Sequence, residues 1–308
     1  MRELSNKRAV AAMPVAGSYR SIDFALSNMS NSHIQRVAVL TQYNARSLNE
    51  HLNSSKWWDF GRKQGGLYIF TPTITAENSS WYRGTADSIY QNLDWLKKSH
   101  EPYVIIASGD AVYKMDYNKV LEYHIEKKAD ITVVCKDMPM GTDVSRFGVV
   151  KTDEEGRITE FEEKPVESQI STISCGIYVI RRRQLIELIE RCAAEDRVDF
   201  VRDILVRYKN LKRIYAYKLN SYWSNIASVQ AKLNAAKAEQ QAKEQAEKEE
   251  KAACTCPSCG HENPEGVKFC QECGTKLGGS AKKHCTSCGA ELTPGTRFCG
   301  ECGARQPE

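Results

Sequence analysis

Tyr103-Val104-Ile105-Ile106-Ala107-Ser108-Gly109-Asp110 decides the fold. An uninterrupted apolar run of this length reads as a buried strand. Gly109 follows, and then a carboxylate just past the strand's C-terminal end. Open α/β sheets hold ligands and metals at that end. Upstream, Trp81-Tyr82-Arg83-Gly84-Thr85-Ala86-Asp87 reads as a second part of the same rim. Together the two segments predict a nucleotide pocket on an α/β sheet.

Around this strand the pattern alternates. Val37-Ala38-Val39-Leu40-Thr41 predicts a short buried strand and 44–52 a helix. Ala86, Ile89, Tyr90, Leu93 and Leu96 recur at helical spacing, which predicts one amphipathic helix over 86–99. A helix over 116–128, with Asp116 as its N-cap, and a strand over Ile131–Cys135 continue the series. Such alternation predicts a mostly parallel sheet with helices on both faces. Phe147–Lys151 and Arg157–Phe161, joined by Glu155-Gly156, predict a hairpin. Trp57, Trp58 and Tyr82 read as surface-loop packing.

The chain then changes character. Residues 229–253 are rich in Ala, Gln, Lys and Glu and have no Gly, Pro or aromatic residue. This predicts a charged, solvated helical linker with little to bury. Of the twelve cysteines, Cys135, Cys175 and Cys192 read as buried reduced thiols, and the remaining nine lie after residue 253. Cys256-Pro257-Ser258-Cys259-Gly260 and Phe269-Cys270-Gln271-Glu272-Cys273-Gly274 form one unit. Cys285-Thr286-Ser287-Cys288-Gly289 and Phe298-Cys299-Gly300-Glu301-Cys302-Gly303 repeat it. Two cysteines separated by two residues make a tight knuckle, and the following glycine permits a positive φ. Two knuckles give four thiolates, the donor set of a closed structural zinc site. The tail therefore predicts two small zinc ribbons, 254–279 and 280–308. Cys256, Cys259, Cys270 and Cys273 would hold the first zinc, and Cys285, Cys288, Cys299 and Cys302 the second. Too few apolar residues remain for a core, so metal supplies much of each ribbon's folding energy. A disulfide framework is the competing reading, disfavoured by a thiol-poor main body.

Bulk properties narrow the function. A formal net charge of +4 over 308 residues is too mild to imply nucleic acid. No apolar run approaches the ~20 residues of a membrane span, and the N-terminus lacks a signal-peptide core. The expectation is a cytoplasmic protein without membrane association.

Further segments follow in a fixed order: Pro14-Val15-Ala16-Gly17-Ser18-Tyr19-Arg20, Leu26-Ser27-Asn28-Met29-Ser30-Asn31-Ser32, Thr41-Gln42-Tyr43, Ser145-Arg146-Phe147-Gly148, Phe161-Glu162-Glu163-Lys164-Pro165 and Ser174-Cys175-Gly176-Ile177-Tyr178. With the two rim segments they resemble the sugar-nucleotide pyrophosphorylases over 1–228, and within them the bacterial glucose-1-phosphate adenylyltransferases of glycogen synthesis, regulatory type. The tail resembles double zinc-ribbon modules. The first resemblance implies a Rossmann-like nucleotidyltransferase domain that joins ATP and glucose 1-phosphate with release of pyrophosphate, using Mg²⁺. It assigns Gly84, Thr85 and Asp87 to the nucleotide and Asp110 to catalysis and Mg²⁺. Glu163, Lys164, Ser174 and Gly176 fall to the sugar phosphate.

The chain departs from the family pattern in ways that bear on activity. The family's first buried strand and its Gly-rich phosphate loop are missing before Met1-Arg2-Glu3-Leu4. Val10 and Ser18 stand where the family carries lysines, and Asn225 of Trp223-Ser224-Asn225 replaces a metal-holding carboxylate. The family's C-terminal β-helix is absent after Ser228. The expectation is an adenylyltransferase-like subunit with weak or no activity of its own, partnered with a catalytic subunit. The alternative is an adaptor whose ribbons bind a protein partner while the front domain is a degenerate scaffold.

Overall fold

The computed structural model describes residues 6–226, apart from positions 16, 54–57, 59, 61–64, 75–80, 140, 167 and 169, together with 254–263, 269–276, 283–284 and 291–292 in the tail. Contacts divide the chain into two units, Met1–Glu239 and Gln240–Glu308. The linker reading for 229–253 lies outside the described residues, as do Cys285, Cys288, Cys299 and Cys302.

After a short 3-10 turn, Val10–Ala12, and the paired two-residue stretches Pro14–Val15 and Tyr19–Arg20, the first unit runs through α1 (Ser21–Asn31), β1 (Arg36–Leu40), α2 (Arg46–Leu52) and β2 (Gly66–Phe70). It continues with α3 (Thr85–Gln91), α4 (Leu93–Lys97), β3 (Tyr103–Ala107), β4 (Ala111–Tyr113) and α5 (Tyr117–Glu126). Then come β5 (Ile131–Asp137), β6 (Gly148–Thr152), β7 (Ile158–Glu163), β8 (Thr172–Arg181), α6 (Arg182–Ala194), β9 (Ile214–Lys218) and β10 (Trp223–Asn225). Asp116 caps α5 by accepting from the Asn118 N–H at 2.9 Å.

The predicted helix over 86–99 is broken into α3 and α4 at Asn92. Its side-chain amide donates to the Ser88 carbonyl and to the Tyr82 hydroxyl. Asn92 has left helical geometry, with φ −114° and ψ 18°. Local side-chain bonding of this kind competes with the helical ladder. Trp58 and Tyr82 also differ from expectation. Both are buried, Trp58 with Leu48 and Leu52, and Trp57 lies outside the described residues.

The main sheet is ordered β9-β5-β8-β6-β7, with β3 also paired to β8. β5 and β9 are parallel, whereas every pairing made by the ten-residue β8 is antiparallel, so the sheet is mixed. The β6–β7 pair is the hairpin expected from its turn. β5 is the centre of the core: Ile131, Val133, Val134 and Cys135 are fully buried. Each such aliphatic side chain is worth about 1.5–3 kcal/mol of hydrophobic stabilisation. Cys135, Cys175 and Cys192 are free and buried.

β1 and β2 pair in parallel with each other and form a separate ribbon. A cavity of about 610 Å³ lies between this ribbon and the main sheet. It is lined by all of Arg36–Leu40 and all of Tyr103–Ala107. The apolar run that decides the fold is therefore only half-buried along its length.

Candidate functional site

The site forms where β8 changes partner. Its start pairs with β6, through Ile173 and Val149, and its end pairs with β3 over Ile177–Arg181. Between them the register shifts, and Gly176 adopts φ +70°. A side chain there would be strained and would press on Ser108. The Gly176 carbonyl accepts from the Ser108 N–H at 3.0 Å, joining the bulge to the end of β3. Bulges re-aim side chains beside functional sites.

A cleft of about 210 Å³ opens at this junction. It gathers Asp110, Glu163, Lys164, Ser174 and Gly176, which three separate stretches of the sequence supply. Asp110 follows β3 and precedes β4. β10 pairs with β4, with Asn225 opposite Ala111, so the Asn225 side chain lies beside Asp110. Asp110 Oδ1 accepts from the Ser108 hydroxyl at 2.5 Å, and Oδ2 from the Asn225 amide at 2.9 Å. Both carboxylate oxygens thus have neutral donors.

Glu163 ends β7 and Lys164 follows it. Lys164 is held at φ +51°, a left-handed conformation rare outside glycine, and its N–H donates to the Phe147 carbonyl at 3.1 Å. Its ammonium lies 3.3 Å from Glu163 Oε1 and is largely exposed, free to turn toward an anion. Gly148 makes room for Glu163, since a Cβ there would strike Phe161 and Glu163 Oε2. Burial pushes the Cys175 thiol up to about 12 and also raises the Tyr178 hydroxyl, so neither ionises near neutrality.

Gly84, Thr85 and Asp87 do not line this cleft. Gly84 and Thr85 hold the start of α3 against the segment after α6, while Asp87 secures the turn that leads into it. Gly84 packs on the Val198 carbonyl so closely that a Cβ would collide with it. The Thr85 hydroxyl accepts from the Phe200 N–H at 2.9 Å, and Asp87 accepts from the Arg83 N–H at 2.8 Å. The segment they brace runs into a π-helical turn, Val201–Val206, whose Val201 does line the cleft. Sequence reasoning gave no role to Ser108, Arg146, Tyr178 or Val201, all of which border it. Ser108 and Arg146 sat inside quoted motifs, whereas nothing in the sequence singles out Val201.

In the second unit, Cys254–Thr255 pairs with Glu262–Asn263, and Lys283–His284 pairs with Glu291–Leu292 in the repeat. Each knuckle of the first ribbon closes as its sequence requires. The Gly260 N–H donates to the Cys256 carbonyl and the Gly274 N–H to the Cys270 carbonyl, both glycines at positive φ. The sulfurs of Cys256, Cys259, Cys270 and Cys273 all lie within 4.8 Å of one another. Cys256 and Cys273 are 3.5 Å apart, and Cys259 and Cys270 3.6 Å apart. Four ligands at ~2.3 Å from a tetrahedral zinc stand ~3.8 Å from each other, so the cluster fits that ion.

A strand-end carboxylate, a cation on a left-handed turn and a bulged strand meet in this cleft on an α/β sheet. The chain belongs to the nucleotidyl transferase family, whose model matches residues 1–242. A double zinc ribbon matches residues 256–303. Curated relatives share the name glucose-1-phosphate adenylyltransferase. The chain is 42% identical to that of Lachnospira eligens over 227 residues, 73% of this chain and 53% of the relative. It is 41% identical to that of Clostridium acetobutylicum over 231 residues, covering 74% and 60%. For Thermotoga maritima the identity is 40% over 236 residues, covering 74% and 55%. The chain thus spans between half and two thirds of the length of these relatives. Among the described residues, no helix is long and apolar enough to cross a membrane.

Proposed function

We propose that residues 1–228 act as a glucose-1-phosphate adenylyltransferase-like subunit that binds sugar phosphate and nucleotide but turns them over weakly or not at all. The 40–42% identity to relatives bearing that name supports the substrate class. The observation that carries the low turnover is the Asn225–Asp110 hydrogen bond. Joining ATP to a sugar phosphate relies on clamping phosphate charge with Mg²⁺. The cleft's two carboxylates are Asp110, already accepting from two neutral donors, and Glu163, tied to Lys164. That donor set is too poor to form a Mg²⁺ centre of its own. Asp110 would meet only such Mg²⁺ as a nucleotide brings with it. Lys164 would attract the sugar phosphate, and Glu163, Ser174 and the Gly176 bulge would face the hexose. Gly84, Thr85 and Asp87 act on the nucleotide side through the segment that carries Val201.

In this reading the chain works beside a catalytic subunit in the cytoplasm, and each ribbon, 254–279 and 280–308, folds around one zinc and offers a surface to a protein partner. Calorimetry with glucose 1-phosphate and with ATP, followed by pyrophosphate exchange with and without a catalytic adenylyltransferase, tests it. Binding, with a changed rate in the mixture, is expected. Absence of binding to either ligand would transfer the function to the ribbons, as an adaptor.

A further inference from the structure

The seven-residue helix α3 begins on a carbonyl from a distant part of the chain. The Val198 carbonyl accepts from the Ala86 N–H at 2.8 Å and from the Asp87 N–H at 3.3 Å. The first N–H groups of a helix have no partner within it and attract anions. Here the protein itself takes two of them, so the start of α3 has little left to offer a phosphate. The contact is mutual. Phe200 directly precedes the π-helical turn Val201–Val206, and its N–H donates to the Thr85 hydroxyl at 2.9 Å. Thr85 thereby caps a turn that starts from a residue 115 positions downstream. The buried Asp203 carboxylate closes the same turn from within, accepting from the Val198 N–H at 3.2 Å and the Asp199 N–H at 2.9 Å.

What Thr85 holds reaches the cleft by two routes. Val201 follows Phe200 in the chain and lines the cleft. The Phe200 ring is buried and packs on Tyr178, with ring centroids 5.3 Å apart. Tyr178 also lines the cleft, and its hydroxyl lies 3.4 Å from that of Ser174. Thr85 itself does not border the cleft. We propose that Thr85 is a positioning residue for the sugar phosphate: its hydroxyl fixes Phe200 and, through it, the Val201 and Tyr178 walls of the cleft. The proposal rests on the reading of this cleft as the sugar-phosphate site. A side chain on the nucleotide side thereby also sets the affinity for a ligand it does not touch. The physical reason is close packing. A buried ring cannot shift without moving the ring against it. Loss of the acceptor leaves the Phe200 N–H without its partner, and the turn relaxes toward a new one.

The test uses the full chain and two variants. Thr85→Val keeps the side chain's shape and removes the acceptor, whereas Thr85→Ser keeps the acceptor. Calorimetry with glucose 1-phosphate, in the absence of nucleotide, is paired with hydrogen exchange on the ligand-free proteins. Thr85→Val is expected to weaken glucose 1-phosphate binding about tenfold, the scale of one hydrogen bond. It is also expected to speed exchange within 200–206 about tenfold and to leave the core strand 131–135 unchanged. Thr85→Ser is expected to recover both values. Unchanged affinity in Thr85→Val would overturn the proposal, and so would equal losses in the two variants. Unaltered exchange within 200–206 would overturn it as well. Faster exchange at 131–135 would mean general loosening and would also overturn it. Should the parent bind no glucose 1-phosphate, the reading of the cleft fails on its own account. Exchange within 200–206 then decides the hold of Thr85 on the turn: acceleration in the valine variant, reversed by serine, upholds it, and any other pattern overturns it.

Discussion

The Asn225 amide donates to Asp110 Oδ2 at 2.9 Å, where a second carboxylate would leave a pair of negative charges instead. The bond satisfies Asp110 without a cation. Asn225→Asp is therefore expected to destabilise the metal-free protein by about 1–2 kcal/mol at pH 7, because two like charges share one site. Millimolar Mg²⁺ should restore that loss in the variant and leave the parent unchanged. Thermal melts with and without Mg²⁺ measure both. An indifferent response of the variant to Mg²⁺ would show that Asn225 does not govern the metal affinity of the cleft.

His124 gives a pH signature. It is buried, with Nδ1 2.8 Å from the Thr132 hydroxyl and its ring edge-on to Tyr103. Burial first, then the charge of Arg181, lowers its pKa to about 4, against the opposing pull of Asp130. The unfolded chain holds the proton more readily, so this residue's contribution is complete above about pH 6.5 and declines as pH falls toward 4. The full shift corresponds to roughly 3 kcal/mol. His124→Gln should flatten the stability curve between pH 4 and 6.5. Parallel curves for parent and variant would contradict the assignment.

The open gap in the sheet sets a hierarchy of core costs. Ile131 is fully buried in β5, whereas Ile105 in β3 borders the cavity. Ile131→Ala is expected to cost about 3–4 kcal/mol and Ile105→Ala about 1 kcal/mol, since the latter enlarges a space that already exists. Denaturant titration of both variants measures the difference. Equal costs would mean that β3 is packed on both sides in solution.

Elemental analysis should find two zinc ions per chain, and Cys270→Ser should release one. Strong chelators should unfold the tail while leaving the melt of the first unit in place, because thiolate–zinc bonds supply folding energy that the ribbon lacks otherwise. Fewer than one zinc per chain would refute the ribbon reading.

Much of this was legible in the sequence, for identifiable reasons. The apolar run at 103–107 and the cysteine knuckles are local signals whose chemistry admits few alternatives. The Asp116 cap and the β6–β7 hairpin were equally local. What escaped was long-range. The break at Asn92 depends on the Tyr82 hydroxyl, ten residues away. The cleft residue Val201 is placed by a π-helical turn whose geometry no periodicity announces. The motif at 84–87 marked a constrained place: the Thr85 hydroxyl accepts from the Phe200 N–H, Asp87 accepts from the Arg83 N–H of its own segment, and none of the three lines the cleft. A sequence motif registers constraint without saying whether a ligand or a neighbouring backbone imposes it.

Adenylyl transfer by the isolated chain, supplied with ATP, glucose 1-phosphate and Mg²⁺ and compared with its Asp110→Asn variant, tests the central claim most directly. The account predicts that the parent binds glucose 1-phosphate yet turns over so slowly that the variant is scarcely worse. Vigorous turnover by the parent, lost in the variant, would contradict it.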